Sequence, residues 1–272
     1  MAALLWAAGC SPKAPVLPSG NGAPFPDFAA AYEQATASCR DVRTITLSIA
    51  LSGRAGATKL RGHIDAGFAA PARARLEGVA PFGKPAFVLV ASGDRGTLVL
   101  PRDNRVLRDA SPGAIVEALA GVDIGPAAMR ALVAGCGFGG APPDAGRTYA
   151  DGWAAGSSGD ETIYVRQVGG VWRVAAARSG TVTAIYTDGS DGRPVSIRLR
   201  AESAGRVTAD LTLRLSEVDA NTSLDPRTFE DAIPPDAVPM TLDELRSAGP
   251  LGGGSGGATP NFQLPTSVGV GS

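Results

Sequence analysis

The hydrophobic pattern of this chain changes its period twice, and this change constrains the fold more than any other feature. In the segment 206–218, Leu211, Leu213 and Leu215 alternate with polar side chains. A period of two places apolar side chains on one face of a β-strand. The same alternation recurs within 44–100, whereas the segment between these two blocks repeats at the spacing of an α-helix. The pattern therefore predicts strands, then helices, then strands again.

The predicted elements follow from this pattern and from the residues that begin and end them. A first helix is predicted over about 25–39, with Asp27 as its N-cap. Pro112 and Pro126 each begin a further helix, and Gly121 ends the former. Turn residues separate several strands, which favours antiparallel neighbours. The strands are predicted at 44–52, 59–66, 72–79, 86–91, 96–100, 162–168, 171–178, 181–188, 193–202 and 206–218.

The order of the elements excludes a doubly wound parallel sheet, because strands and helices do not alternate. We therefore expect a mainly β (α+β) fold built on one antiparallel sheet of about 10–11 strands. A sheet with so many strands tends to curl, and its apolar face must be covered. The helices are the elements that can cover it, and the enclosed apolar interior would suit an apolar ligand.

The composition excludes several classes of function. The 272 residues carry 25 Lys and Arg against 26 Asp and Glu, so no electrostatic attraction to nucleic acid is expected. A single histidine, His63, rules out a centre with several histidine ligands, and we expect no metal site and no cofactor. The sequence contains no run of about 18 apolar residues, which is the length that a membrane-spanning helix needs.

The sequence contains no catalytic motif, and we expect that the protein is not an enzyme. The stretch 135–140, GCGFGG, follows a predicted helix instead of a strand, so it lacks the context of a dinucleotide-binding loop. Asp188 and Asp191 lie in a DGSDG stretch, which predicts a hairpin turn and not a calcium site.

The first ten residues, MAALLWAAGC, combine a short apolar run with small residues, as at the end of a secretory signal. Their AAGC ending resembles the lipobox of bacterial lipoproteins, in which the peptidase cleaves before a cysteine that receives a diacylglycerol. The resemblance implies that 1–9 is a signal-peptide remnant, that Cys10 is lipidated, and that Ser11 favours the outer membrane. The Pro-, Gly- and Ser-rich segment 10–24 is typical of a tether. The alternative is an ordinary buried cysteine at position 10.

Two cysteines remain for another use if Cys10 is lipidated. An even number of cysteines in an exported protein permits a disulfide. Cys39 ends the first predicted helix and Cys136 follows the last helix of the middle block, so a bond would join these helices across a long loop. Two buried free thiols are the alternative.

Two sequence blocks between residues 73 and 137 resemble a known family. In the first, the predicted strand 72–79 ends in the turn Ala-Pro-Phe-Gly. In the second, 119–137 reads LAGVDIGPAAMRALVAGCG and passes into a helix that ends near a glycine. These blocks are similar to the Asn-Pro-Leu-Gly turn and the Leu-Thr-Gly-Met-Pro-Ile-Pro stretch of the outer-membrane lipoprotein receptor LolB. Its wider fold family includes the periplasmic carrier LolA and mycobacterial lipid-carrying lipoproteins.

This resemblance implies an unclosed antiparallel β-barrel with helices covering its mouth and a cavity that takes acyl chains. It also implies that Pro81, Phe82 and Gly83 form a protruding tip that helps to place lipoproteins into the outer membrane. A large apolar side chain in a turn independently favours contact with a membrane or an acyl chain, the alternative being a phenylalanine folded back onto the core. Apolar strand positions are candidates for lining the acyl cavity: Ile45, Leu47, Ile49, Leu76, Val88, Ile163, Val165, Ile197, Leu211 and Leu213.

These observations together predict one domain over 25–248 and a Gly-rich tail at 249–272 that we expect to be disordered. The expected function is that of an outer-membrane lipoprotein, anchored on the periplasmic face, that binds acyl chains and takes part in lipoprotein or lipid localisation. Expected partners are acylated lipoproteins or lipids, the membrane, and a periplasmic LolA-like carrier. The alternative is an envelope-assembly lipoprotein that uses the same fold as a protein-binding module.

Overall fold

A sheet of 15 strands forms the frame of the protein in a computed structural model, which describes residues 15–79 and 84–249. The order of the strands across the sheet is β1-β8-β9-β10-β11-β12-β13-β14-β2-β3-β4-β5-β6-β7-β15. In chain order, β1–β15 are Ala23–Phe25, Thr44–Ala55, Thr58–Ala69, Arg73–Val79, Val88–Ser92, Arg95–Leu100, Arg105–Ala110, Gly146–Thr148, Trp153–Ser158, Glu161–Val168, Val171–Ser179, Val182–Asp188, Pro194–Ser203, Arg206–Ala220 and Val238–Pro239. Because β1 and β15 lie at opposite edges, the sheet is unclosed, and the predicted mainly β fold is confirmed.

Within the described residues four α-helices accompany the sheet: α1 is Phe28–Thr36, α2 is Pro112–Ala120, α3 is Pro126–Ala134 and α4 is Leu242–Ala248. Proline stands at the start of both α2 and α3, where its fixed φ suits a helix and its missing N–H costs no hydrogen bond. Each of these helices ends at a glycine in the left-handed conformation, Gly121 at φ 76° and Gly135 at φ 93°. These local signals explain why the sequence located both helices well.

The alternation of side chains gives the sheet two distinct faces. In β2, Ile45, Leu47, Ile49 and Leu51 are all buried and point to one face. We call this the inner face, because the helices α1, α2 and α3 pack against it through one continuous hydrophobic core. The opposite, outer face carries the polar residues of the same strands. Burial of a leucine or isoleucine side chain contributes about 1.5–3 kcal/mol, so the inner face is the main source of stability.

The sheet has more strands than the 10–11 predicted. The strands β1, β8 and β15 have only two or three residues, which is too few for a period to be read. The strand β9, WAAGSS, consists mostly of small residues, and the arginine-containing β7 lacks alternation. The first predicted helix is also shorter than expected, because β1 occupies its first residue and the helix ends at Thr36.

After β14 the chain crosses the outer face to the far edge of the sheet, a path that the sequence did not predict. We call the segment 221–241 the strap. Its short 3-10 helix, Pro226–Phe229, places the Phe229 ring 5.0 Å from the Arg73 guanidinium, and the Thr97 hydroxyl donates to Asp231 at 2.7 Å. The strap then adds β15 in parallel to β7 and leads into α4, which contacts α2.

Candidate functional site

The apolar positions predicted to line a cavity lie on the inner face, with one exception. Cross-strand pairing places Leu47 beside Ala66, and Leu76 beside Ala66 and Leu89. Those on the inner face are Ile45, Leu47, Ile49, Leu76, Ile163, Val165, Ile197, Leu211 and Leu213, of which Leu213 is only half-buried.

Val88 is the exception, because it pairs with Glu77 and Val99 on the outer face. The prediction for Val88 was therefore wrong. The strand β5 is apolar on both sides, since the helices cover its inner face and the strap passes over its outer face. A period of two could not assign its side chains for that reason.

Side chains of the helices fill the space over the inner face. Ile115 of α2 is completely buried, and Leu132 of α3 is 2% exposed. Phe28 of α1 is also completely buried against the same core. In this conformation the inner face is thus covered by the protein's own side chains, and a ligand on it would have to displace α2 or α3.

A cleft of about 410 Å³ opens beside these helices at one end of the sheet. It lies between the start of α3, the loop that follows α3, and the turns joining β9 to β10 and β11 to β12. Its lining is mixed, with apolar side chains from Ile124, Ala128, Phe138 and Val182 and polar ones from Asp123, Ser158, Asp160, Glu161 and Ser179. The cleft therefore offers an apolar wall close to the inner face together with charged groups at its opening.

Glu161 is a buried carboxylate beside this cleft that sequence reasoning missed. Its side chain accepts hydrogen bonds from the backbone N–H groups of Phe138, at 2.7 Å, and of Gly140, at 2.6 Å. Burial raises the pKa of Glu161, and the two backbone hydrogen bonds counteract this only in part. Burial also raises the pKa values of Tyr32 and Tyr186, and the negative charge of Glu161 adds to the increase in both. With both oxygens bonded to amides, the carboxylate holds the loop after α3 against β10.

Two of the four glycines in the stretch 135–140 lie against this carboxylate. A Cβ atom at Gly137 or Gly140 would overlap the oxygens of Glu161. The loop thus provides amide groups for an anion, as glycine-rich loops do for phosphates, but the anion is a side chain of the same protein. The glycine spacing was a signal of close backbone approach, whereas the partner, 21 residues or more away, was not visible in the sequence.

Cys39 and Cys136 form a disulfide in the structure, with their Cα atoms 5.6 Å apart and a sequence separation of 97. The bond joins the turn after α1 to the loop after α3. Nearby, the Arg130 guanidinium of α3 donates to the backbone carbonyl of Val42. The C-terminal end of α3 is therefore attached covalently and by hydrogen bonding to the chain around α1.

Several predicted features lie outside the described residues. They are the lipidation site Cys10, the tip residues Pro81, Phe82 and Gly83, the segment 1–9, most of the tail at 249–272 and the first residues of the tether 10–24. Among the residues next to the tip, Val79 is 38% exposed at the end of β4. The assignments of Cys10 and of the tip stay predictions.

Within residues 15–79 and 84–249, no three His, Cys, Asp or Glu side chains are grouped in a way that could hold a metal ion. Over the same ranges, no helix combines the length and the hydropathy that crossing a bilayer requires.

The architecture defines a class of protein: an unclosed antiparallel half-barrel with helices on its inner face. A LolA superfamily protein from Nitrosomonas europaea has this fold, with a TM-score of 0.51 and 12% sequence identity over 74% of this chain and 96% of that one. The protein described here thus has a LolA-like fold.

Two other solved structures align with lower scores. An outer membrane lipoprotein-sorting protein domain from Vibrio parahaemolyticus aligns with a TM-score of 0.45 and 8% identity over 74% of this chain and 95% of that one. The lipoprotein LppX of Mycobacterium tuberculosis aligns with a TM-score of 0.32 and 13% identity over 74% of this chain and 98% of that one. No protein-family model matches the sequence, and no curated protein matches it.

Proposed function

We propose that this protein is a lipoprotein of the outer membrane, anchored through Cys10 on the periplasmic face, that binds acyl chains and takes part in lipoprotein or lipid localisation. The observation that carries the proposal is the apolar inner face of the half-barrel, which α1, α2 and α3 cover and beside which a cleft of about 410 Å³ opens. The LolA-like fold supports it.

Binding would be passive in this proposal and would require no catalysis. An acyl chain entering at the cleft would meet Ile124, Ala128 and Val182, and would then separate α2 and α3 from the sheet. Each buried CH2 group contributes about 0.8 kcal/mol, so an acyl chain of ordinary length can replace the contacts that the helices make. The chain would leave when a membrane or a partner offers a more favourable environment.

A first experiment asks whether the protein carries lipid. The full chain with Cys10→Ser is purified without its anchor, and bound lipids are identified by mass spectrometry. A fluorescent fatty acid is titrated into the delipidated protein in parallel. We expect stoichiometric acyl lipid and saturable binding of the probe; the absence of both would overturn the proposal.

A matched pair of variants locates the binding site. Ala128 faces the cleft, whereas the neighbouring Ala127 is exposed on the same helix and does not line it. Ala128→Trp should fill the cleft and weaken binding of the probe at least tenfold. Ala127→Trp adds the same side chain outside the cleft and should leave binding unchanged. Equal effects would place the site elsewhere.

The anchor and the tip are tested separately. If Cys10 is lipidated, Cys10→Ser should release the exported protein from the membrane fraction. If Phe82 acts as the tip of a LolB-like receptor that takes lipoproteins from a LolA-like carrier, Phe82→Glu should reduce their insertion into the outer membrane. Unchanged insertion would argue against a receptor role and leave acyl-chain binding unaffected.

One observation favours a second function, that of a protein-binding module in envelope assembly. The helices fill the space over the inner face, as Ile115 and Leu132 show by their burial. A filled core is what a module without a ligand cavity would have. A protein that carries no lipid and binds no acyl probe, yet is needed for envelope integrity, would support this alternative.

A further inference from the structure

Basic side chains recur along one row across the outer face of the sheet. Successive cross-strand pairs join Arg178 to Thr183, Thr183 to Arg200, Arg200 to Asp210, Asp210 to Arg54, and Arg54 to Lys59. Residues paired in this way share one face, and neighbouring strands lie about 4.8 Å apart. The row therefore crosses six strands, over a distance of about 24 Å.

The next two rows on the same face add further basic groups. Arg198 pairs with Thr212, which pairs with Ser52 and through it with Arg61. Arg214 lies one row beyond, where it pairs with Ser196 and Ala50. We call these side chains the basic band: Arg54, Lys59, Arg61, Arg178, Arg198, Arg200 and Arg214, all of them exposed.

Carboxylates neutralise only part of the basic band. Asp210 accepts two hydrogen bonds from Arg198, at 2.8 and 2.6 Å, and Glu202 forms an ion pair with Arg200 at 2.9 Å. Among the residues that the structure describes, Arg54, Lys59, Arg61, Arg178 and Arg214 have no carboxylate within ion-pair distance. The protein as a whole has a net charge of −1, so this surplus of positive charge is a local feature.

The other half of the same face has the opposite character. The rows beyond Arg214 carry Asp65, Glu77, Glu217 and Asp219, with Arg75 already paired to Glu77 at 3.2 Å. The strap residue Thr228 lies against this acidic half. On this face, positive charge thus prevails towards one end of the strands and negative charge towards the other. The basic band is the half that the strap does not cover.

The band lies at the end of the strands where the cleft opens. Arg178 precedes Ser179, which lines the cleft, and Arg200 belongs to the same row. Two exposed valines adjoin the band: Val79, 38% exposed, pairs with His63 in the row of Arg214, and Val207, 45% exposed, pairs with Glu202. Positive charge next to exposed apolar groups is the combination found on surfaces that rest on anionic membranes.

We propose that the basic band is a docking surface for the anionic surface of a phospholipid membrane, with the guanidinium groups binding lipid phosphates. Arginine predominates in the band, and its planar fork of donors matches a phosphate better than the ammonium of lysine does. Docking in this way places the cleft next to the bilayer, where an acyl chain can pass between protein and membrane. This last step rests on the proposed function, whereas the docking itself does not.

The test uses the full chain with Cys10→Ser, so that no lipid anchor contributes. Sedimentation with vesicles of phosphatidylcholine alone and of phosphatidylcholine mixed with phosphatidylglycerol measures the docking. We expect binding only to the mixed vesicles, and weaker binding as salt is added, because counterions screen exposed charges. Each basic side chain near an anionic membrane contributes up to about fivefold in affinity.

A matched pair of triple variants assigns the binding to the band. Arg61→Glu, Arg178→Glu and Arg214→Glu together should reduce binding at least about 20-fold. Arg95→Glu, Arg108→Glu and Arg193→Glu change the net charge equally at exposed positions outside the band, and should reduce it no more than about twofold. A second band variant carries glutamine at the same three positions, which is a milder change if charge reversal impairs folding. It is expected to reduce binding about fivefold or more.

Three results would overturn the proposal: equal binding to both kinds of vesicle, equal losses in the two triple variants, or no binding to vesicles while poly-glutamate binds to the band. The last result would assign the band to an acidic protein. Titration of the fluorescent fatty acid into the band variant keeps the two proposals apart. If the band variant still binds the probe but no longer docks to vesicles, both proposals are supported. If the protein docks to vesicles but does not bind the probe at all, only the docking proposal stands.

Discussion

Two of the helices that cover the inner face, α2 and α3, are held in different ways. The helix α3 is attached by the disulfide between Cys39 and Cys136, by the hydrogen bond from Arg130 to Val42, and by the loop bonded to Glu161. The helix α2 is held by burial of its apolar side chains and by contacts with α4. The C-terminal end of α3 is therefore attached covalently, whereas α2 is held by noncovalent contacts.

This difference indicates how the inner face can be uncovered. The end of α3 near Cys136 cannot leave α1 while the disulfide is intact. The link between α2 and α3, residues 121–125, has no such attachment, and it contains Gly121 and Gly125. An opening motion would thus move α2 more than α3, and it would have to withdraw Val122 and Ile124 of this link from the core.

The largest expected effect comes from removing the covalent attachment. Cys39→Ser with Cys136→Ser should lower the free energy of unfolding by about 4 kcal/mol, because a cross-link over 97 residues restricts the unfolded chain strongly. Urea denaturation measures the change. Hydrogen exchange in α3 should then rise towards that in α2, while the bonds of Arg130 and Glu161 still protect α3 in part. If exchange in α3 does not rise, the disulfide is not a cause of the difference.

Core truncations in the two helices should have similar costs and different consequences. Ile115→Ala in α2 and Leu132→Ala in α3 should each lower the free energy of unfolding by about 3 kcal/mol, because both side chains are buried. Hydrogen exchange in α2 should rise in the first variant, whereas α3 should stay protected in the second, since its disulfide remains. Equal local opening in both variants would contradict the comparison.

The loop bonded to Glu161 should respond to pH with a defined sign. Burial raises the pKa of this carboxyl above its ordinary value of 4.5, so the folded state binds more protons than the unfolded state between the two pKa values. Stability contributed by Glu161 therefore falls as pH rises through this window. Glu161→Gln should cost about 1–2 kcal/mol at low pH, since one amide N–H loses its acceptor.

That cost should decrease as the pH rises, because the variant has no charge to bury. Thermal melting of both proteins across a pH series measures the difference between them. The pKa of Asp188 is also raised by burial, but its contribution is common to both proteins and cancels. A difference that is independent of pH would show that the pKa of Glu161 is the same in the folded and unfolded states.

The smallest effect concerns the contact between α2 and α4. Arg246 lies 3.7 Å from Glu117, and both side chains are about half exposed. Because exposed ion pairs contribute little, Arg246→Ala should change the free energy of unfolding by at most about 0.5 kcal/mol. A double-mutant cycle with Glu117→Ala in low and high salt measures the coupling. A coupling above about 1 kcal/mol would mean that α2 is held more firmly than the comparison states.

The sequence predicted most of the sheet and both covering helices, because those features depend on local patterns. The alternation of Leu211, Leu213 and Leu215 placed β14, and Pro112 and Gly121 marked the ends of α2. Prediction failed where the pattern carried no information. Val88 lies in a strand that is apolar on both sides, and the short strands β1, β8 and β15 are too brief to show a period.

The site could be predicted only in part for a similar reason. The inner-face residues follow from alternation, whereas their covering by Ile115 and Leu132 depends on how the helices dock. The glycines of 135–140 were recognised in the sequence only as a loop without the context of a dinucleotide site. That this loop binds the carboxylate of Glu161 could not be read from the chain, because β10 and the loop meet only in the folded protein.

The sequence by itself determined which residues form strands, which side of most strands is apolar, and where α2 and α3 begin and end. These properties depend on neighbours a few positions apart, through the pleat of a strand and the preferences of Pro and Gly. Only the tertiary structure decided the bond between Glu161 and its loop, the path of the strap, and the alignment of Arg178, Arg200, Arg54 and Lys59 in one row. Each of these depends on strand order and register, which join residues far apart in the chain.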